Sequence, residues 1–423
     1  MNYSDCRASR NGYLMVLLLF LSGPVLAKAS AADWPGWRGP AGTGVSAEQN
    51  LPVRWSPTQN VGWKVAIGGA GVSQPIVSNG RVFLTASDGR LHDRLHLYCF
   101  DRKTGRELWH VRLTGSALPE GYYPEGGMAV PTPAADGQHV YALFGTGDLA
   151  CFDFDGRPVW VRSLAQEYGP FRNRWGMGAS PILVGDLLVV QVDHWAPSYL
   201  LGVDAKSGRN RWKTDRDASV NWSSPVAAKV NGKTQLIVTG TYRVKSYDAA
   251  DGTELWSVDG MRMQCIPSPV VQDGIAYAVS GRSGNTLAIQ LDGSRGDVSG
   301  TKQILWRRPR GAPYVPSPVC YGKEYYLVTD EGVATCLDAA TGATRWQERL
   351  GGTFRSSPVA GAGNIYFTSL EGYVTVVKAG PNFERPVRNH LGEGLRASPA
   401  IAGGEIFLRG EKHLFCIRMR NDE

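Results

Sequence analysis

The chain has 423 residues, of which 43% are hydrophobic and 52 are glycine, and its formal net charge is +7. This length allows one large domain or two to three ordinary ones, and no Pro/Ser-rich linker or block of like charge divides it. The moderate positive charge hints at anionic partners. No nucleic-acid-binding motif accompanies it, so nucleic acid is not an expected partner.

The first segment, residues 1–31, is predicted to be an export signal. Two arginines precede an apolar run at 13–27, and small residues offer cleavage after Ala27 or Ala31. A retained membrane anchor is the weaker alternative, because the apolar core is short and a Gly-Pro pair interrupts it. Pro24 stands where lipoprotein processing would need a cysteine. We therefore expect a periplasmic or secreted monomer with no transmembrane segment in the mature chain.

Two sequence motifs then recur along the chain. An acidic residue, a turn glycine and a tryptophan follow one another in FDRKTGRELW at 100–109, and the phrase returns at 152–160, 203–212, 247–256 and 337–346. A small or polar residue followed by proline and an apolar strand occurs eight times, most of them 40 to 49 residues apart. Regular spacing of this kind indicates a structural repeat.

Each repeat contains four short segments with period-two alternation, separated by turn residues, and no amphipathic helix is legible between them. This pattern predicts an antiparallel blade of a β-propeller. The eighth unit, at 397–417, lacks a fourth strand, whereas VGWKVAI at 61–67 is a spare one before the first unit. Pairing the two segments would close the ring and remove an exposed edge. The sequence thus predicts an all-β, eight-bladed propeller closed by an N-terminal strand.

The domain boundaries follow from this count. Residues 32–60 are predicted to form an N-terminal arm, 61–417 the single propeller, and 418–423 a C-terminal tail. The blade at 380–387 lacks both the tryptophan and the turn, so we expect it to be the loosest of the eight.

The recurring tryptophans and cysteines are interpreted as structural. An indole at the start of the last strand offers a flat apolar surface to the next blade and an N–H that needs a partner, while the Asp and Gly build the preceding turn. The blade-docking tryptophans are Trp63, Trp109, Trp160, Trp212, Trp256, Trp306 and Trp346. Cys99, Cys151, Cys336 and Cys416 share a repeat position with Gly, Ser and Ala, which favours small packing thiols over a disulfide framework.

With these motifs in place, the chain resembles the pyrroloquinoline-quinone (PQQ)-type propeller repeat over essentially all of 53–417. That resemblance covers two branches: quinoprotein alcohol dehydrogenases and non-enzymatic propellers similar to BamB, a family of outer-membrane assembly factors. The arm DWPGWRGPAGTGVS at 33–46 looks like the leader of exported quinoprotein-like propellers. Its simplest interpretation is an arm that packs aromatic side chains onto the ring.

Functional residues are expected on the face that carries the interblade connections and the loops between second and third strands, here called the loop face. Enlarged connections at 114–130 and 165–178 and the loop at 193–199 lie there, and the D-x-x-T-G turns lie on the opposite turn face. Aligning the units on the proline predicts a ligand- or partner-binding channel mouth on the loop face. Its proposed members are Arg174, Asn221, Trp222, Arg262, Tyr314, Arg355 and Arg396. Arginines suit the bidentate capture of carboxylate or phosphate, although solvated rim residues remain the alternative.

Catalytic interpretations find less support. Asp193 is the conspicuous acid of the loop-face insertions, the histidines of LHDRLH at 91–96 have no metal-site context, and no G-x-S-x-G or H-E-x-x-H motif occurs. The resemblance implies Ca²⁺ and a vicinal cysteine pair in quinone dehydrogenases, and the chain lacks that pair. We therefore favour an exported non-catalytic scaffold that binds an envelope or outer-membrane protein or an anionic polymer. A PQQ-dependent dehydrogenase acting on alcohols or sugars, with PQQ and Ca²⁺ as cofactors, is the alternative.

Overall fold

The computed structural model describes residues 33–119, 127–281 and 284–419. The predicted signal peptide at 1–31, residues 120–126 of one predicted insertion and the end of the predicted tail lie outside the described residues. The described chain forms eight antiparallel sheets of four strands, one of which gains a short fifth, parallel strand. The predicted all-β propeller of eight blades is confirmed.

The strand boundaries follow the repeat. The first strand, β1 (Val61–Ala66), belongs to the last blade. Blade one contains β2 (Ile76–Ser78), β3 (Arg81–Asp88), β4 (Arg94–Asp101) and β5 (Glu107–Thr114). Blade two contains β6 (Ala134–Ala135), β7 (His139–Leu143), β8 (Asp148–Asp153) and β9 (Pro158–Ser163). A helix, α1 (Leu164–Tyr168), precedes blade three, which contains β10 (Ile182–Val184), β11 (Leu187–Val192), β12 (Ser198–Asp204) and β13 (Asn210–Arg216). Blade four contains β14 (Val226–Val230), β15 (Lys233–Thr239), β16 (Arg243–Asp248) and β17 (Glu254–Asp259).

The remaining blades repeat the plan. Blade five contains β18 (Val270–Gln272), β19 (Ile275–Val279), β20 (Thr286–Gln290) and β22 (Ile304–Arg308), with β21 (Gly296–Asp297) joined to blade four. Blade six contains β23 (Val319–Tyr321), β24 (Glu324–Val328), β25 (Val333–Asp338) and β26 (Thr344–Arg349). Blade seven contains β27 (Val359–Gly361), β28 (Asn364–Thr368), β29 (Tyr373–Lys378) and β30 (Val387–His390). Blade eight contains β31 (Ala400–Ala402), β32 (Glu405–Arg409) and β33 (His413–Ile417), with β1 as its outer strand.

The ring closes through the N-terminal strand. β1 pairs antiparallel with β33, placing Trp63 opposite Cys416 and Ala66 opposite His413. Covering the edge of β33 with a segment from the other end of the chain removes an unpaired strand edge.

The repeat position that carries Cys, Gly, Ser or Ala needs a small side chain for a structural reason. In β4–β5 the residue directly opposite Trp109 is Cys99, and a β-bulge follows immediately. The same pairing sets Cys151 opposite Trp160 and Gly202 opposite Trp212. A small side chain there leaves room for the indole across the strand pair.

The six described cysteines are free and buried, as the sequence predicted. Burial raises the pKa of the Cys99 and Cys151 thiols to about 12. These thiols therefore remain protonated and pack as small apolar groups.

The tryptophans lie at the seams between blades. The Trp63 indole Nε1 donates to the Arg102 carbonyl of blade one at 2.8 Å. In five further blades the equivalent indole donates to a backbone carbonyl of the next blade. Trp256 differs: its Nε1 donates to Gln235 Oε1 within its own blade, and β21 lies alongside its strand.

Blade seven departs from the repeat but still has four strands. It lacks the tryptophan, and its outer strand β30 has four residues. Trp55 of the arm is buried in the cluster that joins blades seven and eight, and its backbone N–H donates to Asn389 Oδ1 at 2.8 Å. The arm thus supplies an indole near the seam whose own strand lacks one.

The other departure from the sequence prediction is α1, a five-residue helix between blades two and three. Ser163 caps it by accepting a hydrogen bond from Gln166 N. Within the described residues, no helix is both long and apolar enough to cross a membrane.

Candidate functional site

A cavity of about 530 Å³ lies at the loop-face end of the central channel. It is lined by residues that precede the first strands of the blades, by the connection containing Trp175, and by Leu370 in the loop between β28 and β29. This volume is in the range of pockets that take small molecules or the end group of a larger ligand.

A ring of hydroxyl groups forms the wall of the cavity. Seven of the eight residues that directly precede a repeat proline donate their backbone N–H to the side chain of the equivalent residue in the next blade, over 2.8–3.0 Å. The ring members are Gln74, Thr132, Ser180, Ser224, Ser268, Ser317, Ser357 and Ser398. The Gln74 side chain completes the circle by donating to the Pro399 carbonyl of blade eight. Each blade is therefore tied to the next at the channel wall, where proline itself has no N–H to donate.

Aromatic side chains line the space beside this ring. Trp37, Trp175, Trp222 and Tyr314 all contribute to the cavity, and Trp175 is 44% exposed. The Trp222 indole donates to the Gly176 carbonyl at 2.8 Å, and Gly178 lies so close that a Cβ there would be 2.9 Å from the ring. The enlarged connection at 165–178 therefore packs directly on Trp222 and holds its orientation.

Two arginines stand at the cavity. Arg355 forms an ion pair with Asp330, whose carboxylate also accepts the backbone N–H of Tyr314 at 2.8 Å. Burial raises the pKa of Asp330, while the guanidinium opposes that shift. Arg396 is exposed, and within the described residues no carboxylate lies at ion-pair distance from it. Among the described residues that line the cavity none is acidic, so this described lining is electropositive.

Four of the seven residues predicted at the channel mouth therefore line one cavity: Trp222, Tyr314, Arg355 and Arg396. The other three do not. Asn221 is fully buried behind it, where its amide oxygen accepts Cys265 N and its nitrogen donates to the Ser219 carbonyl. Arg174 and Arg262 are exposed and are not among the residues that line the cavity.

The sequence interpretation missed the serine ring and two aromatic residues. The serines are visible in the recurring S-P pair, which served to count and align the blades but was not interpreted as part of the site. Trp37 was assigned to arm packing, and Trp175 stands next to the residue that was chosen, Arg174. Trp175 could have been found from the sequence as an aromatic residue in an enlarged loop-face connection.

The floor of the cavity is the N-terminal arm. The indole Nε1 of Trp37 donates to Ser268 Oγ at 3.0 Å, and the Arg38 guanidinium donates to the Pro358 carbonyl at 2.9 Å and to the Pro318 carbonyl. Arg38 is fully buried, no carboxylate of the described chain pairs with it, and burial lowers its pKa to about 9. A smaller space of about 140 Å³ lies on the turn-face side of the arm and shares Trp37 with the main cavity. The arm thus blocks the channel between the two spaces.

The residues present do not fit the calcium-bound quinone cofactor of the dehydrogenase alternative. Asp193 is buried and paired with Arg216 at 2.8 Å, and its carboxylate also accepts from Gln191. Within the described ranges, no three Asp, Glu, His or Cys side chains converge as a metal site. A hard cation needs a set of oxygen ligands, and the described residues that line the cavity include no carboxylate.

Comparison with known proteins places this architecture in a family. A family model described as outer membrane protein assembly factor BamB matches residues 43–191, 94–347 and 196–423 in overlapping segments. The chain belongs to the BamB family. Family members include the BamB proteins of Shewanella oneidensis, 27% identical over 256 residues, and Burkholderia pseudomallei, 24% identical over 274 residues. These alignments cover 57% and 64% of this chain, and 56% and 64% of those relatives, so they span less than two thirds of their length.

Solved structures share the fold at lower identity. BamB from Moraxella catarrhalis superimposes with a TM-score of 0.61 at 13% identity, covering 86% of this chain and 98% of that one. A europium-containing methanol dehydrogenase superimposes with a TM-score of 0.69 at 11% identity, covering 91% of both chains. Both similarities establish the propeller fold alone, since propellers with unrelated activities share it.

Proposed function

We propose that this BamB-family propeller is a non-catalytic assembly factor of the cell envelope that docks a partner protein in its loop-face cavity. The observation that carries the proposal is the convergence of three indoles, a tyrosine and two arginines around one electropositive cavity. Tryptophan, tyrosine and arginine are the side chains that most often anchor protein–protein interfaces. Membership of the BamB family supports an outer-membrane assembly protein as the class of partner.

The architecture supports docking over chemistry. The candidate base Asp193 is paired with Arg216. The hydroxyl groups of the cavity wall accept backbone hydrogen bonds, and the described part of the lining holds no histidine or carboxylate to activate them. A rigid ring with an aromatic cavity can instead present a constant surface to a partner. Export through the predicted signal at 1–31 would bring the chain to that partner in the periplasm.

The experiment is a pull-down from envelope extract with the purified full-length mature protein. We expect wild type to retain an outer-membrane assembly protein, identified by mass spectrometry, and the double variant Arg355→Ala/Arg396→Ala to retain at least tenfold less, because charged and aromatic anchors dominate interface energies. The double variant of two exposed turn-face residues, Lys206→Ala/Arg209→Ala, is the matched control. Equal retention by all three proteins would remove the cavity from the docking surface.

A further inference from the structure

In the described part of the chain, each serine of the channel ring has a hydroxyl hydrogen that is not donated to another protein group. Ser180, Ser224, Ser268, Ser317, Ser357 and Ser398 line the cavity and are 2–4% exposed. Each hydroxyl oxygen accepts a backbone N–H from the preceding blade. A hydroxyl group can also donate one hydrogen bond, and within the described residues none of these six donates to a protein acceptor. The cavity wall therefore presents six buried hydroxyl donors to a ligand that occupies the cavity.

A second observation gives the charge of the occupant. Arg396 stands two residues before Ser398 and has no ion-pair partner among the described residues, whereas Arg355 is already paired with Asp330. A ligand that satisfies hydroxyl donors and an arginine together must present acceptor oxygens with negative charge.

A third observation gives its shape. The indoles of Trp37, Trp175 and Trp222 flank the same space, so part of the ligand is flat or apolar. Because the arm blocks the channel at Trp37 and Arg38, a chain cannot thread through the ring. A ligand therefore enters the cavity from the loop face, as the end of a chain or a small molecule can.

We propose that the cavity binds a carboxylate attached to an aromatic or bulky apolar group, with its oxygens at Arg396 and the serine hydroxyls and its apolar part among the indoles. Two sources carry this chemistry: the C-terminal residue of a polypeptide and a free small carboxylic acid. The proposal rests on the docking function above and names the group that docks.

The test is calorimetric titration of the full-length mature protein with three probes. They are a hexapeptide ending in phenylalanine with a free carboxylate, the same peptide as its C-terminal amide, and N-acetylphenylalanine. We expect the free acid to bind about tenfold more tightly than the amide, because the amide lacks one charge-assisted hydrogen bond. Arg396→Ala should remove that preference, Arg396→Lys should restore part of it, and Arg209→Ala should leave it unchanged.

The outcomes separate the possibilities. Tighter binding of the free-acid peptide than of N-acetylphenylalanine assigns the site to a polypeptide end, and equal binding of both assigns it to a small acid. Equal binding of acid and amide, or no binding of any probe, overturns the proposal. If the probes fail while the envelope partner is still lost from the arginine double variant, the docking function stands and only the carboxylate assignment is wrong.

Discussion

At the scale of single residues, the turn glycine of blades one to four and of blade six has two roles. Gly208 has a φ of +72°, which favours glycine, and a Cβ at this position would lie 2.6 Å from Cδ2 of Trp160 in the preceding blade. The same approach occurs at Gly105 against Trp63 and at Gly156 against Trp109. The glycine therefore gives the turn its conformation and also forms the surface on which the neighbouring indole rests.

This double role predicts an unequal cost for two glycine substitutions. Gly232 has a φ of +80° but no atom within 4 Å of a Cβ added there. Gly232→Ala should cost about 1–2 kcal/mol from the left-handed backbone alone. Gly208→Ala should cost clearly more, because the indole must also move. Thermal unfolding of both variants measures the difference, and equal unfolding temperatures would show that the indole contact contributes nothing.

Residues of this kind were partly predictable from the sequence. The acidic residue, glycine and tryptophan of 100–109 lie within one phrase, so their turn and the following strand could be recognised locally. The indole's acceptor lies in the next blade, and so does the hydroxyl that receives the N–H of Ser224. Contacts across a seam depend on how neighbouring blades align, which one sequence does not reveal.

At the scale of elements, the N-terminal arm joins the inside of the ring to its outer edge. The Pro35 carbonyl accepts Ala135 N in blade two, while Ser46 N donates to the Ala360 carbonyl in blade seven. The following residues pack Trp55 at the seam of blades seven and eight and continue into β1. The sequence predicted an arm that packs aromatic groups on the ring, but nothing in its local pattern indicated that it enters the channel.

The Arg38 side chain is the arm's main polar attachment. Its guanidinium donates to the carbonyls of Pro318, Pro358 and Thr43, and no described carboxylate compensates its burial. Arg38→Ala leaves those carbonyls without their donors and should lower the free energy of unfolding by about 2–4 kcal/mol.

Arg54→Ala is the matched control, since Arg54 is an exposed arginine of the same arm and its loss should change stability by less than about 0.5 kcal/mol. Denaturant unfolding of the two variants under identical conditions makes the comparison. Indistinguishable midpoints would mean that the buried guanidinium does not hold the arm in the channel.

At the scale of the whole molecule, the protein is a closed ring whose channel is blocked by the arm and whose loop face holds an open cavity. Eight blades, antiparallel strands and closure by the spare N-terminal strand were predictable because each repeat carries its own proline, turn and tryptophan signals. The cavity was predictable only in outline. Four of its residues follow from alignment on the proline, but its floor and its hydroxyl wall arise from the arm and from all eight blades together.

The most direct test of the central claim, that a partner docks in the loop-face cavity, is site-specific photo-crosslinking in intact cells. A photoreactive phenylalanine analogue placed at Trp175, an exposed residue of the cavity, is compared with the same analogue at Lys206, an exposed residue of a turn-face loop. The account predicts a discrete crosslink to an outer-membrane assembly protein from position 175 and none from position 206. A crosslink to that protein from position 206 alone would contradict it.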